Sequence, residues 1–270
     1  MIMVDFKKIA SNSFLYNFHS HTQFCDGRAP MREFVESAIA QGFTDYGFSP
    51  HSPIPFASSC NMAMSDVDAY FREFENLKTE FAGKINLYKS MEIDYLGKDW
   101  GPSVDYFNNL GLDYKIGSVH FIPCNDIYVD TDGSYENFKV KMGKFFHNDI
   151  RHVVETFYAQ TLKMIACGGF DIIGHFDKIS QNASCFQPGI EYEPWYENLV
   201  MQVINALRES KLIVEINTKS YNRNGRLFPN KKYFPILKRF GIPVVFNSDA
   251  HYPNLINAGR QEAYALYQNA

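Results

Sequence analysis

Short apolar segments alternate with amphipathic segments along the whole chain of 270 residues. Seven apolar segments are predicted to be β-strands: 15–19, 43–48, 85–93, 113–119, 170–175, 212–217 and 242–248. The segments between them show helical periodicity, most clearly at 153–166, where Val154, Phe157, Tyr158 and Ile165 share one face. Alternation of strand and helix predicts right-handed βαβ units and a parallel sheet, which either closes into a barrel or stays open and doubly wound.

The chain shows no sign of a division into domains. Its composition stays even, and no Gly/Ser-rich or Pro-rich linker interrupts it. We therefore expect residues 1–270 to form a single domain. Residues 121–150 are longer than a typical connection, and are expected to be an excursion from that domain with a hairpin and a helix.

Composition excludes several classes of protein. A hydrophobic share of 46% excludes wholesale disorder, and a net charge of −4 without a basic cluster argues against nucleic acid as a partner. The five cysteines are odd in number and have no paired spacing, so a disulfide framework is not expected. The sequence shows neither a targeting signal nor an apolar run long enough to span a bilayer, which predicts a soluble cytoplasmic protein.

Histidine and acidic residues follow nearly every predicted strand. Six of the eight histidines lie there, together with three acidic residues; the set is His19, His21, Asp26, His51, Glu92, His120, His175, Asp249 and His251. Because parallel strands present their C-terminal ends on one side of a barrel or sheet, these side chains are expected to converge. His147 and His152 lie away from any strand end and are predicted to be ordinary surface histidines.

The residue types indicate a metal site. Imidazoles and carboxylates without cysteine form a ligand set for Zn²⁺, Mn²⁺ or iron. Nine candidates exceed the three or four that one ion needs, so we expect two or three ions. Paired metal ions are the usual arrangement for hydrolysis of phosphate esters. A His-x-His pair alone has little specificity, and the prediction rests on the whole set.

The candidate ligands lie in short motifs: His19-Ser20-His21, Cys25-Asp26-Gly27, Pro50-His51-Ser52-Pro53, Glu92-Ile93-Asp94-Tyr95, Gly117-Ser118-Val119-His120, Gly174-His175-Phe176-Asp177 and Asn247-Ser248-Asp249-Ala250-His251. In this order they resemble the motifs of the PHP (polymerase and histidinol phosphatase) superfamily, from about Asn17 to the C-terminus. Pro55-Phe56 and Glu215-Ile216-Asn217-Thr218 look most like its monofunctional histidinol-phosphate phosphatase branch. The resemblance implies a distorted (β/α)₇ barrel with its metal site at the C-terminal ends of the strands.

The resemblance also implies how the ligands are shared among three metal ions. One ion would be held by His19, His21, Glu92 and Asp249, a second by Glu92, His120 and His175, and a third by Asp26, His51 and His251. Glu92, Asp249 and His251 are also expected to act in catalysis. Many relatives have Asp directly before His51, whereas this chain has Pro50, which removes a carboxylate that would orient the imidazole.

The implied reaction is hydrolysis of L-histidinol phosphate to L-histidinol and phosphate, a step of histidine biosynthesis, by a hydroxide that bridges the metal ions. Arg223 and Arg226, after the sixth predicted strand, are the best candidates for binding the phosphate, since a guanidinium donates two parallel hydrogen bonds. Relatives often have an Arg after the His175 motif, where this chain offers Lys178. Phe56 and Tyr95 are candidates for flanking the imidazole of the substrate.

Other functions stay open. Residues 127–134 resemble the DxDG(S/T) signature of haloacid-dehalogenase-type phosphatases, in which Asp130 would be the nucleophile, although a hairpin turn over Asp130–Gly133 explains the same residues. A PHP-type phosphoesterase for another small phosphomonoester and a non-catalytic metal-binding regulatory module are further alternatives. A proofreading exonuclease is less favoured, because no polymerase module or basic groove is evident.

Overall fold

The computed structural model describes residues 5–270, except the side chains of residues 11 and 12. Within this range strands and helices alternate, as the apolar pattern predicts. The strands are β1 (Tyr16–Asn17), β2 (Asp45–Phe48), β3 (Asn86–Lys89), β4 (Glu92–Asp94), β5 (Ile116–Ser118), β6 (Phe121–Cys124), β7 (Ile127–Asp130), β8 (Ile172–Ile173), β9 (Ile213–Asn217) and β10 (Val244–Asn247). The α-helices are α1 (Phe6–Asn12), α2 (Met31–Ala40), α3 (Val67–Glu80), α4 (Asp105–Asn108), α5 (Tyr135–Phe146), α6 (Ile150–Cys167), α7 (Ile179–Phe186), α8 (Pro194–Glu209), α9 (Tyr221–Asn224), α10 (Phe234–Arg239) and α11 (Arg260–Gln268).

Two parallel sheets form the centre of the fold. One has the strand order β1-β2-β3, and the other has the order β10-β9-β8-β5-β4. A single parallel bridge between Ser20 and Ala250 joins the chain after β1 to the chain after β10, and another between His51 and Glu92 joins the chain after β2 to β4. The predicted α/β fold is confirmed, and its two parallel sheets lie in the order of a distorted barrel, connected by single bridges rather than by continuous ladders.

The third predicted strand, 85–93, is interrupted. Its first half, β3, pairs with β2, whereas its second half, β4, pairs with β5. The Tyr70 hydroxyl of α3 lies 2.8 Å from the carbonyl oxygen of Ser90, at the interruption. This contact satisfies a backbone acceptor where the chain passes from one sheet to the other. The prediction of one continuous strand was therefore wrong at this point.

Aromatic and branched side chains from both sheets fill the interior of the barrel. The cluster consists of Phe6, Tyr16, Phe18, Tyr114, Ile116, Ile172, Ile213 and Val245. Phe6 of α1 packs with its ring centroid 4.7 Å from those of both Phe18 and Tyr114. With the interior filled by apolar groups, the polar residues that follow the strands gather at the C-terminal ends.

The excursion over 121–150 contains the expected hairpin and helix. Strands β6 and β7 pair antiparallel, and the turn between them begins at Asn125, whose φ of 52° lies in the left-handed region that Asn tolerates. Asp130 is the last residue of β7 and residues 131–133 follow the hairpin, so the prediction of a hairpin turn over Asp130–Gly133 was wrong. Asp130 Oδ1 instead accepts a hydrogen bond of 2.8 Å from the backbone of Asp132, just before α5.

His147 and His152 are exposed, as expected. Within residues 5–270, no helix combines the length and the apolar character needed to cross a membrane. That residues 1–270 form a single domain stays a prediction.

Candidate metal centre

Glu92 occupies the middle of the candidate site. It begins β4, and its side chain is 1% exposed. Its Oε1 lies 2.9 Å from His175 Nε2 and accepts a hydrogen bond of 2.7 Å from Ser118 Oγ. Its Oε2 lies 3.1 Å from His51 Nδ1 and 3.2 Å from His19 Nε2. Residues at or just after the ends of four other strands thus meet on one carboxylate.

The remaining predicted ligands surround this centre. His21 Nε2 lies 3.0 Å from Asp249 Oδ1, and His251 Nε2 lies 3.2 Å from Asp26 Oδ2. His120 Nε2 lies 3.4 Å from Glu92 Oε1. All nine predicted ligands are therefore brought together, as the convergence of parallel strand ends requires.

Three groups of side chains have ligand atoms within 4.8 Å of one another: His21, Asp26, His51 and His251; His19, His21 and Asp249; and His51, Glu92 and His120. This grouping differs from the implied one in two ways. His21 joins Asp26, His51 and His251, the three residues implied for the third ion, and His51 also lies in a group with Glu92 and His120. His175 Nε2 still lies 3.3 Å from His120 Nε2. How the ligands are divided among ions stays a prediction.

Two glycines allow the segments that carry the candidate ligands to pack closely against one another. A side chain at Gly27 would overlap the backbone of His21 and Thr22, so glycine lets the loop that carries Asp26 lie directly against the first strand end. A side chain at Gly174 would overlap Ser118 Oγ, which holds Glu92. These residue choices explain the Asp-Gly and Gly-His pairs of the sequence.

A second ring of carboxylates holds the imidazoles. Glu215 Oε1 lies 2.6 Å from His19 Nδ1, and Asp94 Oδ1 lies 2.8 Å from His120 Nδ1. Each contact occupies the outer ring nitrogen and leaves Nε2 facing the centre, as in metal sites where a carboxylate orients a histidine ligand. Sequence reasoning did not assign this role to either acid. The signal was alternation, since Asp94 lies two residues after Glu92 on one face of β4.

Asp249 has an unusual backbone conformation. Its φ of 49° is in the left-handed region, where a residue other than glycine is uncommon. Asp tolerates this conformation better than branched residues do, and such conformations occur often at functional sites. The turn follows β10 directly and places the carboxylate against His21.

Several buried atoms at the centre have no hydrogen-bond partner among the described residues. These atoms are Asp26 Oδ1, His51 Nδ1 and Glu92 Oε2, the last two being near each other without the geometry of a hydrogen bond. Burying such groups without a partner costs about 1–3 kcal/mol each, and more when the group is charged. Divalent cations bound among these groups would engage such lone pairs. The residues therefore fit a metal ion, and their nitrogen and oxygen donors suit zinc, manganese or iron.

The electrostatics also favour a cation. Burial lowers the pKa of His120, but Glu92 and Asp94 outweigh it and raise the pKa to about 10. For His19, burial is likewise outweighed by Glu215, Glu92 and Asp249, and the pKa lies well above its ordinary value. The surrounding carboxylates thus create a negative potential that stabilises positive charge at the centre.

A cavity of about 770 Å³ opens onto the cluster at Asp26, His51 and His120. Of the predicted phosphate ligands, Lys178 and Arg223 line it. Lys219, which sequence reasoning did not single out, lines it as well. A lysine after a strand is usually solvated, so no sequence signal distinguished it.

Three other predicted substrate contacts do not line this cavity. Arg226 donates hydrogen bonds of 2.8 Å to Ser180 Oγ and 2.7 Å to Glu191 Oε1. The Phe56 ring stacks on that of Tyr128, with the centroids 6.1 Å apart. Tyr95 is buried in the hydrophobic core, with its hydroxyl 3.7 Å from Cys167 Sγ.

Comparison with known proteins identifies the family of this chain. The model of the PHP domain family matches residues 17–219, which is most of the chain. The chain belongs to the PHP domain family. The expected resemblance to this family is therefore confirmed.

Individual PHP relatives match over nearly their whole length. The histidinol-phosphatase of Bacillus subtilis is 25% identical over 250 residues, which cover 86% of this chain and 92% of the relative. A Listeria monocytogenes protein assigned as a histidinol phosphatase superimposes with a TM-score of 0.81 at 22% identity, covering 92% of this chain and 99% of the other. The histidinol phosphate phosphatase of Lactococcus lactis, complexed with zinc, L-histidinol and phosphate, has a TM-score of 0.69 at 19% identity, covering 94% and 92%. The two solved structures share this fold.

Proposed function

We propose that this protein is a metal-dependent phosphatase that hydrolyses L-histidinol phosphate to L-histidinol and phosphate. The observation that carries the proposal is the buried Glu92 carboxylate, whose Oε2 has no hydrogen-bond partner among the described residues although two imidazoles lie within 3.2 Å of it. Such an arrangement of histidines and acids is suited to holding two or three divalent ions. The substrate is proposed because the PHP relative from B. subtilis, matched over 92% of its length, is a histidinol-phosphatase.

The metal ions would supply Lewis acidity, that is, neutralisation of charge on the phosphoryl oxygens and a lower pKa for a coordinated water. The chain's own residues orient the candidate metal ligands. Ser118 donates to Glu92 Oε1 and orients that carboxylate. Asp94 and Glu215 orient His120 and His19 through their Nδ1 atoms. We assign Glu92, Asp249 and His251 to the centre at which phosphoryl transfer occurs.

The cavity provides room and charge for the ester. Its wall carries the cationic side chains of Lys178, Lys219 and Arg223, which suit a phosphate dianion. Lys178 Nζ lies 3.5 Å from Asp132 Oδ2, so its charge is shared with that acid. A small phosphorylated metabolite is therefore the proposed partner, and a cytoplasmic location stays a prediction.

A phosphate-release assay tests the proposal. Protein loaded with zinc, manganese or iron is given L-histidinol phosphate and a panel of other small phosphomonoesters, with and without a chelator. We expect release from L-histidinol phosphate that the chelator abolishes and added metal restores. His120→Gln should abolish it as well, whereas His152→Gln, the same change at an exposed histidine, should leave it intact.

Two results would contradict parts of the proposal. Turnover of other monoesters but not of L-histidinol phosphate would refute the substrate and retain the phosphatase. Absence of turnover on every ester by metal-loaded protein would refute the enzyme and favour the alternative of a non-catalytic metal-binding module.

A further inference from the structure

Lys219 stands directly beside the candidate metal centre. It lies two residues after the end of β9, and its backbone N–H donates 3.0 Å to Asn217 Oδ1. Its Nζ lies 3.2 Å from Asp249 Oδ1 and 3.2 Å from His251 Nε2. The ammonium group is thus in contact with two candidate metal ligands.

The backbone around Lys219 is held in place on both sides. Thr218 N donates 2.9 Å to the carbonyl oxygen of Asn247 at the end of β10. Ser220 Oγ donates 2.8 Å to Gln181 Oε1 on α7. The segment is therefore attached to a neighbouring strand and a neighbouring helix, and the direction in which Lys219 leaves the backbone is constrained.

Lys219 is accessible to a ligand. Its side chain is 34% exposed, and it lines the cavity that opens onto the cluster. An ammonium group has three N–H donors, and the two contacts leave one without a partner among residues 5–270. When metal ions take up the lone pairs of Asp249 and His251, those two contacts weaken and the ammonium needs another acceptor.

The other cations of the cavity are less suited to reach an ester at the cluster. Lys178 is 6% exposed, pairs with Asp132, and lies 4.9 Å above the centroid of the Phe228 ring. Arg223 is exposed on α9. Among the described cations of the cavity wall, Lys219 is the one in contact with candidate ligands.

We propose that Lys219 contacts the substrate and donates a hydrogen bond from its ammonium group to a phosphoryl oxygen of the bound ester. The inference rests on the proposed function, since it assigns a phosphate contact within that same site. The chemical class recognised is a phosphate dianion, whether free or esterified. A charged hydrogen bond of this kind accounts for roughly tenfold or more in affinity.

Isothermal titration of metal-loaded protein with inorganic phosphate tests this directly, alongside metal content by mass spectrometry. Lys219→Met should weaken phosphate binding about tenfold or more and leave the metal content per chain unchanged. Lys219→Arg should restore part of the affinity. Lys211→Met, the same change at an exposed lysine outside the cavity, should bind phosphate like the wild type.

The outcomes separate this inference from the proposed function. Phosphate affinity within twofold of wild type in Lys219→Met would overturn the inference, as would failure of the metal-loaded wild type to bind phosphate. A gain of about one metal ion per chain in Lys219→Met would also overturn it, since Lys219 would then occupy the place of a cation. If Lys219→Met loses phosphate binding but the wild type turns over no ester, the inference holds and the proposed function fails.

Discussion

Glu215 Oε1 lies 2.6 Å from His19 Nδ1, and both side chains are fully buried. The same carboxylate accepts a hydrogen bond of 3.0 Å from the backbone N–H of His175 through Oε2. One acid inside β9 therefore orients two candidate ligands that come from different strands. Its position explains how the site can be rigid although its ligands are spread over the whole chain.

Glu215→Gln should weaken metal binding. The amide retains the size of the side chain but loses the negative charge that holds the His19 proton, and loss of such an orienting partner costs about 10–100-fold in metal affinity. Competition with a chromogenic zinc chelator measures the change, with Glu209→Gln on the exposed end of α8 as the matched control. Zinc affinity equal to that of the wild type would show that Glu215 does not tune the site.

The convergence of the ligands was predictable from sequence because it depends on one rule of topology. Each of the nine candidates follows or ends a parallel strand, and all such ends meet on one side of a barrel. Glu215 was harder to assign, because an acid within an apolar run has no visible partner in sequence. Its partner His19 is 196 residues away.

Local structure was not predictable where the sequence is compatible with more than one strand boundary, turn position or side-chain partner. The apolar run 85–93 favours one strand. Its first half pairs with β2 and its second half with β5, and only this change of partner shows where the strand is interrupted. Asp130–Gly133 has the residues of a hairpin turn, but Asn125 and Asp126 offer turn chemistry one strand earlier, and the chain turns there. Arg226 lies near the site in sequence, yet Glu191 and Ser180 hold its guanidinium elsewhere.

Removal of metal should lower thermal stability. A ligand present at 100 times its dissociation constant stabilises the folded state by about 2.7 kcal/mol. In a chain of this size that corresponds to a fall in Tm of about 5–10 °C for each site emptied. Differential scanning calorimetry before and after chelation measures it, and added zinc should reverse the change.

The matched variant for this experiment is His120→Gln, which lacks one candidate ligand and should show a smaller chelator effect than the wild type. An unchanged Tm in protein shown to have lost its metal would contradict the assignment of the unpartnered Glu92 and His51 atoms to a metal ion.

Asp130→Asn should leave phosphate release largely intact, with kcat reduced by less than about fivefold. Asp130 Oδ2 forms an ion pair of 2.6 Å with Lys141 of α5, and Oδ1 is occupied by the Asp132 backbone. Both oxygens are thus engaged in holding the turn, which does not suit a nucleophile. Loss of all activity in a folded Asp130→Asn protein with normal metal content would favour the haloacid-dehalogenase-type reaction instead.

Arg226→Met should destabilise the fold and leave substrate binding unchanged. Glu191 is 5% exposed, and its carboxylate also accepts hydrogen bonds from Ser184 and from Asn230. Loss of Arg226 removes a charged hydrogen bond of 2.7 Å from this buried acid, at a cost of about 1–3 kcal/mol in the free energy of unfolding. Urea unfolding at pH 7 measures it, with Arg208→Met on the exposed face of α8 as a control that should change stability by less than about 0.5 kcal/mol.

The pH dependence distinguishes this ion pair from a phosphate contact. Burial raises the pKa of Glu191, but hydrogen bonds from Arg226 and Ser184 outweigh it and hold the pKa below the ordinary 4.5. Because the pKa in the folded state is depressed, the stability from the pair is present above pH 4.5 and is lost as pH falls through the lower folded value. The difference in unfolding free energy between wild type and Arg226→Met should therefore be full at pH 6–7 and shrink below about pH 4.5. A tenfold rise in KM for the phosphate ester with no change in stability at any pH would instead make Arg226 a phosphate ligand.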